Sequence, residues 1–118
     1  MGRAQELRKE GNQHFSAGAY SAALPIYSEA IEMLEGVGED AALATIFCNR
    51  SAAHIKLGQP ASALTDAERA GALGGGKAHY RRGEALSSMR QYEDALEAFE
   101  AALANAVSDC AAVLWIAC

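Results

Sequence analysis

Apolar residues recur every three or four positions along most of the chain, in stretches that end at glycine. This spacing is typical of amphipathic α-helices that bury one face. Gly18 and Gly58 each end a stretch, and Pro60 opens the next one at a place where a helix tolerates proline. Pro25 falls near the end of the first turn of its helix, where we expect a mild distortion and no break. The pattern predicts six helices, at about residues 3–17, 20–35, 44–57, 60–73, 77–89 and 92–105.

The predicted helices form three degenerate repeats when the chain is aligned with itself. With Ala4, Ala44 and Gly76 as first places, alanine recurs at the twentieth and twenty-seventh places. The eighth places hold Gly11, Ser51 and Gly83, and the twenty-fourth hold Tyr27, Ala67 and Phe99. The offsets of 40 and 32 residues bracket the roughly 34-residue period of helix–turn–helix repeats. Small residues let two helices approach closely, so each repeat is expected to be a packed pair, A then B. The repeats span about residues 4–36, 44–73 and 76–105.

Composition restricts the class of protein. A chain of 118 residues suits one domain with one modest core. Its net charge of -5 argues against general affinity for nucleic acid, whose phosphates require a broad basic face. No segment approaches the roughly 20 apolar residues of a membrane helix, and the charged first 20 residues do not form a signal peptide. We therefore expect no nucleic acid and no membrane among the partners.

The cysteines and histidines suggest neither a metal site nor a cofactor. Cys48, Cys110 and Cys118 are odd in number and far apart, which favours neither a disulfide framework nor a zinc site. A reducing cytoplasm is the expected location. His14, His54 and His79 stand in separate A helices without a ligand-spaced partner, so we expect no metal. The sequence shows no nucleophile paired with a general base, and the chain is predicted not to be an enzyme.

The stretch "GGGKAH" at residues 74–79 invites comparison with a phosphate-binding loop. Such a loop needs a preceding strand, a longer glycine spacing and Ser or Thr directly after the lysine. Here a predicted helix precedes the glycines and Ala78 follows Lys77. The glycines are therefore interpreted as the junction between the second and third repeats.

The repeats resemble the tetratricopeptide repeat family over about residues 4–105. The stretches that carry the resemblance are "EGNQHFSAGAYSAALPIYSEAI", "CNRSAAHIKLGQPASAL" and "KAHYRRGEALSSMRQYEDALEAFEAAL". The resemblance implies an all-α, right-handed superhelix in one domain over residues 1–118. It implies that the A helices line a concave groove, that the B helices lie outside, and that a capping helix follows at about residues 108–118.

Charge is divided between the two sets of helices. Taken as residues 3–17, 44–57 and 76–90, the A helices carry nine of the ten lysines and arginines, and the B helices carry nine of the fifteen acidic residues. Charge runs are commonly solvated faces, and we expect the B-helix carboxylates to be solvated. Segregation over three repeats nevertheless favours a functional, cationic groove.

Five polar residues match a subset of the family. In that subset Lys, Asn, Asn, Lys and Arg form a "carboxylate clamp" that grips the C-terminal Asp of chaperone tails. The corresponding residues here are Arg8, Asn12, Asn49, Lys77 and Arg81, of which only Arg8 departs from the pattern. Lysine and arginine supply charge-assisted hydrogen bonds, and asparagine adds neutral donors and an acceptor for peptide backbone. Arginine in place of lysine offers a planar fork instead of a compact point charge.

Apolar residues beside the clamp are second-tier candidates for lining the groove. They are Phe15, one turn beyond Asn12, and Ala52 and Ile55, which lie along the corresponding stretch after Asn49. The alternative is that Phe15 and Ile55 belong to the core between repeats, since apolar residues at helical spacing commonly do. Cys48 is expected to be a buried small apolar residue.

The last stretch, "VSDCAAVLWIAC", is apolar at every position from Cys110 onward. Ser108 is predicted to cap a terminal helix. A capping helix needs a polar outer face, so this one must be buried by another copy or belong to a longer protein. An exposed surface of this kind favours association, and we predict concentration-dependent dimers.

The resemblance to the carboxylate-clamp subset implies a co-chaperone or adaptor module. Its groove is expected to bind the acidic Glu-Glu-Val-Asp tail of heat-shock chaperones of the seventy- or ninety-kilodalton class, without a cofactor. Two alternatives stay open: a general repeat scaffold for an unrelated partner, and an accessory domain of a larger enzyme.

Overall fold

The chain folds into consecutive helix pairs. The computed structural model describes residues 2–75 and 77–108, with side chains as far as residue 104. Over these ranges the helices are α1 (Gly2–Ser16), α2 (Tyr20–Leu34), α3 (Asp40–Lys56), α4 (Pro60–Ala72), α5 (Ala78–Ser88) and α6 (Tyr92–Ser108). Helices α1 and α2, α3 and α4, and α5 and α6 form three pairs, and each pair packs on the next. The predicted all-α architecture of three helix pairs is confirmed.

The helix bounds differ from the predicted ones most at the start of α3. This helix begins at Asp40 instead of residue 44. The extra turn buries Leu43, which is 7% exposed, and it places an acidic residue at the positive end of the helix dipole. Helix α2 passes through Pro25 without a break, as predicted.

The three A helices α1, α3 and α5 end in the same hydrogen-bonded turn. After α1, the N–H of Gly18 donates to the carbonyl of Phe15 at 3.0 Å, and the next N–H reaches one residue further back. This Schellman turn needs a left-handed residue, and Gly18 has φ 82°. Gly58 repeats the turn after α3. Arg90 takes the same place after α5 with φ 62°, a conformation that non-glycine residues rarely adopt.

Small residues at the eighth places let the two helices of a pair meet. A Cβ atom added to Gly11 would lie 2.6 Å from the Tyr27 ring, and one added to Gly83 would lie 2.6 Å from the Phe99 ring. In the second repeat the place holds Ser51, which is 0% exposed and donates to a backbone carbonyl of α4 at 2.8 Å. The repeat places inferred from sequence therefore mark the helix-to-helix contacts.

Asp66 on α4 departs from the expectation that B-helix carboxylates are solvated. It is 3% exposed, and Arg50 of α3 donates to both of its oxygens, from Nε at 2.8 Å and from Nη2 at 2.7 Å. Arg50 Nη1 also donates to Ser28 Oγ of α2 at 3.0 Å, and His54 Nε2 lies 3.6 Å from Asp66 Oδ2. The expectation is wrong for Asp66, which is buried. Its pairing with Arg50 makes this burial possible, since a buried carboxylate is stable only when it is paired. Arg50 therefore links three helices and adds no charge to a groove.

The terminal prediction is in part corrected. The described part of helix α6 extends to Ser108, so Ser108 belongs to this helix and does not precede a separate one as its cap. Residues 109–118 lie outside the described residues, and with them the predicted capping helix and its dimer interface. In the part of the chain that the structure describes, none of the helices is long and apolar enough to cross a membrane.

Candidate functional site

A cavity of about 310 Å³ opens where the three A helices lie side by side, with α3 in contact with both α1 and α5. This asparagine cavity, as it is termed below, takes residues from every A helix and from α2. Its lining residues are Asn12, Phe15, Ser16, Tyr27, Asn49, Ala52 and Arg81. Three of the five predicted clamp residues thus meet in one cavity, although they are up to 69 positions apart in the chain.

A second cavity, of about 290 Å³, adjoins the first. It is termed the lysine cavity, and its lining residues are Ala44, Thr45, Cys48, Asn49, Gly75 and Lys77. Asn49 lines both cavities, so Lys77 stands on the same side of α3 as the asparagine cavity. Four of the five predicted clamp residues therefore lie along one continuous surface.

The two asparagines are joined to each other and to the B helix α2. Asn49 Nδ2 donates to Asn12 Oδ1 at 3.2 Å, and the Tyr27 hydroxyl donates to the same oxygen at 2.5 Å. Because the Asn12 oxygen is held by these two donors, its amide nitrogen lies at the opposite end of the planar group. Asn12 therefore presents a fixed donor to the asparagine cavity.

Burial of Tyr27 affects its ionisation. The residue is 1% exposed, and burial raises the pKa of its hydroxyl to about 12. The hydroxyl therefore keeps its proton at physiological pH and stays a donor to Asn12.

Arg81 is positioned by a neighbour one turn later on α5. Its Nη1 donates to Glu84 Oε1 at 2.7 Å, and the two side chains are 21% and 28% exposed. The guanidinium carbon lies 5.5 Å from the centre of the Tyr80 ring. These contacts hold Arg81 at the edge of the asparagine cavity.

Arg8 is placed differently from the other four clamp residues. It stands on α1 one turn before Asn12 and is half-buried. It does not line the asparagine cavity or the lysine cavity. Within the described residues, its buried Nε makes no hydrogen bond.

Cys48 forms part of the wall of the lysine cavity and is 4% exposed. Burial raises the pKa of its thiol, and the positive charges of Arg81 and Lys77 act against that rise. The raised pKa agrees with the expected role as a buried apolar residue, and a protonated thiol is a poor nucleophile.

The three candidates for groove lining separate in the structure. Phe15 and Ala52 line the asparagine cavity, whereas Ile55 is half-buried and lines neither of the two cavities. Phe15 also packs against the core and meets the Tyr20 ring edge-on at 5.0 Å. Phe15 therefore lines the asparagine cavity and also packs against the core, so the two interpretations do not exclude each other.

The charge partition overstated the cations available to the groove. Arg50 is held by Asp66, as described above. Arg82, next to Arg81 in sequence, lines a separate cavity whose other lining residues are Leu64, Glu68, Leu86, Asp94 and Glu97. Along the groove, Lys77 and Arg81 are the cations that line the two cavities.

Sequence reasoning missed the polar role of Tyr27. In the sequence, Tyr27 stands out only as a repeat place shared with Ala67 and Phe99. The signal was the hydroxyl itself, since a buried tyrosine usually finds a hydrogen-bond partner. Ser16 and Thr45 were also missed as lining residues, and nothing in their spacing marks them.

Metal ligation finds no support in the described ranges. Among residues 2–75 and 77–104, no three His, Cys, Asp or Glu side chains gather in a metal-binding arrangement. His54 is nevertheless nearer to a carboxylate than its sequence spacing indicated, since it lies beside Asp66 and Gln59.

The fold and the groove define a helical-repeat protein whose A helices carry a polar binding surface. A family model for the tetratricopeptide repeat matches residues 76–106, which is the third helix pair. The chain is 37% identical over 102 residues to small glutamine-rich tetratricopeptide repeat-containing protein 2 of Mycosarcoma maydis, a match that covers 85% of the chain. It is 33% identical over 102 residues to the Hsp70-Hsp90 organizing protein of Triticum aestivum, again over 85% of the chain. The chain spans 27% and 16% of the length of these two relatives.

A solved structure extends the likeness to most of the chain. The second TPR of Spaghetti (RPAP3), bound to HSP90 peptide SRMEEVD, superposes with a TM-score of 0.74 at 28% identity. The match covers 86% of this chain and 90% of that one. The chain is thus a tetratricopeptide repeat domain.

Proposed function

We propose that the domain is the chaperone-binding module of a co-chaperone or adaptor. In this proposal its groove binds the free C-terminal Glu-Glu-Val-Asp tail of heat-shock chaperones of the seventy- or ninety-kilodalton class. The observation that carries the proposal is the convergence of Asn12, Asn49 and Arg81 on one cavity, with Lys77 on the adjoining one.

The chemistry of this surface suits a peptide that ends in aspartate. Such an end presents two carboxylates close together, and binding must replace their hydration with fixed donors. Lys77 and Arg81 supply charge-assisted hydrogen bonds, which contribute roughly 1.5–3 kcal/mol each. The amide of Asn12 is already oriented by Tyr27, so little ordering is needed when the ligand arrives.

The asparagine cavity also offers an apolar wall for a residue that precedes the aspartate. Phe15 and Ala52 supply that wall beside the two asparagines. An apolar side chain next to the carboxylates would be buried there, while Asn49 keeps an oxygen for a peptide N–H. A tail with valine before its final aspartate has this chemistry.

The similar structure supports the ligand class. The second TPR of Spaghetti (RPAP3) was solved with an HSP90 peptide that ends in Glu-Glu-Val-Asp. One of the relatives is named for organising Hsp70 and Hsp90. We propose that the present chain binds the same ligand. The proposal includes binding of the peptide carboxylates by Arg8, although Arg8 does not line either cavity.

Calorimetry with a Glu-Glu-Val-Asp peptide tests the proposal. The free-acid peptide is expected to bind, and its C-terminally amidated twin is expected to bind at least tenfold more weakly. Lys77→Ala and Arg81→Ala should each lower affinity about tenfold, as the loss of a charged hydrogen bond predicts. Arg82→Ala is the matched control, since Arg82 faces Glu68, Asp94 and Glu97 instead of the groove. Equal affinity for the amidated peptide would refute the proposal.

The same proposal makes the domain a binding module without catalysis and places it in the cytoplasm. Cys48, which lines the lysine cavity, is buried and has a raised pKa, which suits neither a nucleophile nor an exposed redox group. Free thiols persist in a reducing compartment such as the cytoplasm.

A further inference from the structure

The lysine cavity combines an exposed cation with walls of small residues. Lys77 is exposed and lines the cavity together with Ala44, Cys48 and Gly75. Ala44 and Cys48 are 2% and 4% exposed, so they belong to the packed body of the domain. The cavity volume of about 290 Å³ is close to the 310 Å³ of the asparagine cavity. The lysine cavity therefore has room for a whole side chain that carries a negative charge.

Gly75 keeps one wall of the lysine cavity free of a side chain. A Cβ atom added there would lie 3.0 Å from the carbonyl oxygen of Ala70 and 3.2 Å from the Cβ atom of Ala44. Both distances are too short for a side chain to be added without movement of the backbone or of α3. The junction between α4 and α5 thus passes close to the start of α3, and the space beside Lys77 stays open.

The polar groups of the lysine cavity suit an anion. Thr45 and Lys77 both hold the second places of their repeats, so they lie at equivalent positions on the neighbouring helices α3 and α5. The exposed Thr45 hydroxyl donates to the Ala41 carbonyl at 3.0 Å, and it can rotate to donate to a ligand instead. None of the residues described around this cavity is acidic. Burial raises the pKa of the Cys48 thiol, which therefore adds no negative charge.

The alternation of side chains along an extended peptide directs the last one into the lysine cavity. In the proposed complex, the valine of the tail lies against Phe15 and Ala52 in the asparagine cavity. Successive side chains of an extended chain point in opposite directions. Asn49 lines both cavities. A terminal residue held at Asn49 therefore points its side chain away from the valine wall and toward Lys77.

We propose that the lysine cavity binds the last side chain of the peptide and admits glutamate as well as aspartate. This inference rests on the proposed function, and it extends the ligand class to acidic tails that end in glutamate. A pocket closed around one side chain rejects a side chain with one more methylene by roughly tenfold or more. Here the additional methylene would lie against Ala44 and Cys48, while the flexible Lys77 follows the carboxylate.

Calorimetry with four peptides tests the proposal. The peptides end in Glu-Glu-Val-Asp, Glu-Glu-Val-Glu, Glu-Glu-Val-Asn and Glu-Glu-Val-Gln, each with a free C-terminal carboxylate. The glutamate peptide should bind within about fourfold of the aspartate peptide, which is the effect of one buried methylene. The two amide peptides should bind at least about tenfold more weakly than their acids, since Lys77 loses a charge-assisted hydrogen bond. In Lys77→Ala this difference between acid and amide should largely disappear for both pairs.

Thr45→Leu tests whether the open space of the cavity decides the selectivity. The substitution fills the cavity from its exposed side, so the glutamate peptide should lose about tenfold more affinity than the aspartate peptide. Loss of the hydroxyl affects both peptides, and the difference between them therefore reports the space alone. Thr65→Leu is the matched control, since Thr65 is an exposed residue of α4 whose hydroxyl also donates to a carbonyl of its own helix, that of Ala61 at 3.2 Å. It lines a different cavity, with Asp66, and should change neither affinity.

The possible failures separate this proposal from the proposed function. A glutamate peptide that binds more than about tenfold more weakly than the aspartate peptide would overturn this proposal and leave the function intact. An acid–amide difference that persists in Lys77→Ala would place the last side chain elsewhere and would also overturn it. Absence of binding by all four peptides would overturn both. Circular dichroism checks that each variant keeps its helices.

Discussion

Tyr27 and Asn12 are joined by a hydrogen bond of 2.5 Å from the tyrosine hydroxyl to Oδ1 of the amide. The bond crosses from the B helix α2 to the A helix α1, and Asn49 donates to the same oxygen from α3. A residue buried between helices therefore sets the orientation of a side chain at the groove. Packing of the first pair and geometry of the candidate site are coupled at this point.

Tyr27→Phe should weaken peptide binding while keeping the fold. The ring stays against Gly11, but the Asn12 oxygen loses its shorter donor and the amide is free to turn. A hydrogen bond of this kind contributes about 0.5–1.5 kcal/mol, so affinity for the Glu-Glu-Val-Asp peptide should fall about two- to tenfold. Calorimetry measures this, with Tyr20→Phe as the control, since Tyr20 packs on Phe15 instead of bonding to Asn12. Wild-type affinity in Tyr27→Phe would show that Asn12 needs no orienting partner.

Stability should fall in strongly alkaline solution because of the same hydroxyl. Burial raises the pKa of Tyr27 to about 12, above its ordinary value of 10.0 in the unfolded chain. The folded state thus favours the protonated form of Tyr27. The contribution of this hydroxyl to the free energy of unfolding is fully present below pH 10 and is lost as pH rises toward 12. Two pKa units correspond to about 2.7 kcal/mol. Urea unfolding of wild type and Tyr27→Phe between pH 8 and 11.5 measures the difference, and parallel pH profiles would contradict the expectation.

Much of the fold was predictable because the repeats mark both the helix-to-helix contacts and the turns that end the helices. Gly11 and Gly83 mark where helices touch, and the Schellman turns need glycine at 18 and 58. The early start of α3 was missed because the second repeat is aligned from Ala44, and Leu43 lies before that first place. Its burial depends on the first pair, and that is a tertiary contact without a local signal.

Helix register was sufficient to predict which residues of the candidate site share one surface. Register brought Asn12, Asn49 and Arg81 to one cavity. Asn49 and Arg81 hold the sixth places of their repeats and Asn12 the ninth, about one turn further along the same face of its A helix. Register does not tell which cation is neutralised. Arg50 and Asp66 are 16 residues apart on different helices, and their pairing appears in the three-dimensional packing alone.

Arg90→Gly should stabilise the domain. Arg90 has φ 62° in a turn where Gly18 and Gly58 serve the other repeats. A non-glycine residue in this region costs roughly 1–2 kcal/mol, and the greater freedom of glycine in the unfolded chain offsets part of the gain. We expect the free energy of unfolding to rise by about 0.5–1 kcal/mol in urea titration. Gly18→Ala is the reciprocal change and should lower it by a similar amount; a loss of stability in Arg90→Gly would mean that the arginine side chain makes a compensating contact.

Asp66→Ala should be the most destabilising of these substitutions. It leaves Arg50 inside the protein without its carboxylate, and removal of one partner of a buried ion pair costs about 3–5 kcal/mol. Glu35→Ala is the matched control, because Glu35 and Arg69 form a pair at 3.1 Å whose side chains are 47% and 53% exposed. An exposed pair contributes at most about 1 kcal/mol.

A companion variant separates the loss of the pair from the loss of packing. In Arg50→Met/Asp66→Leu both charges are replaced by apolar groups, which is commonly neutral or stabilising relative to a buried pair. We expect this variant to recover most of the free energy of unfolding that Asp66→Ala loses. Urea unfolding at pH 7 measures all three variants. A loss in Asp66→Ala no larger than that in Glu35→Ala would show that water reaches Arg50 and replaces the carboxylate.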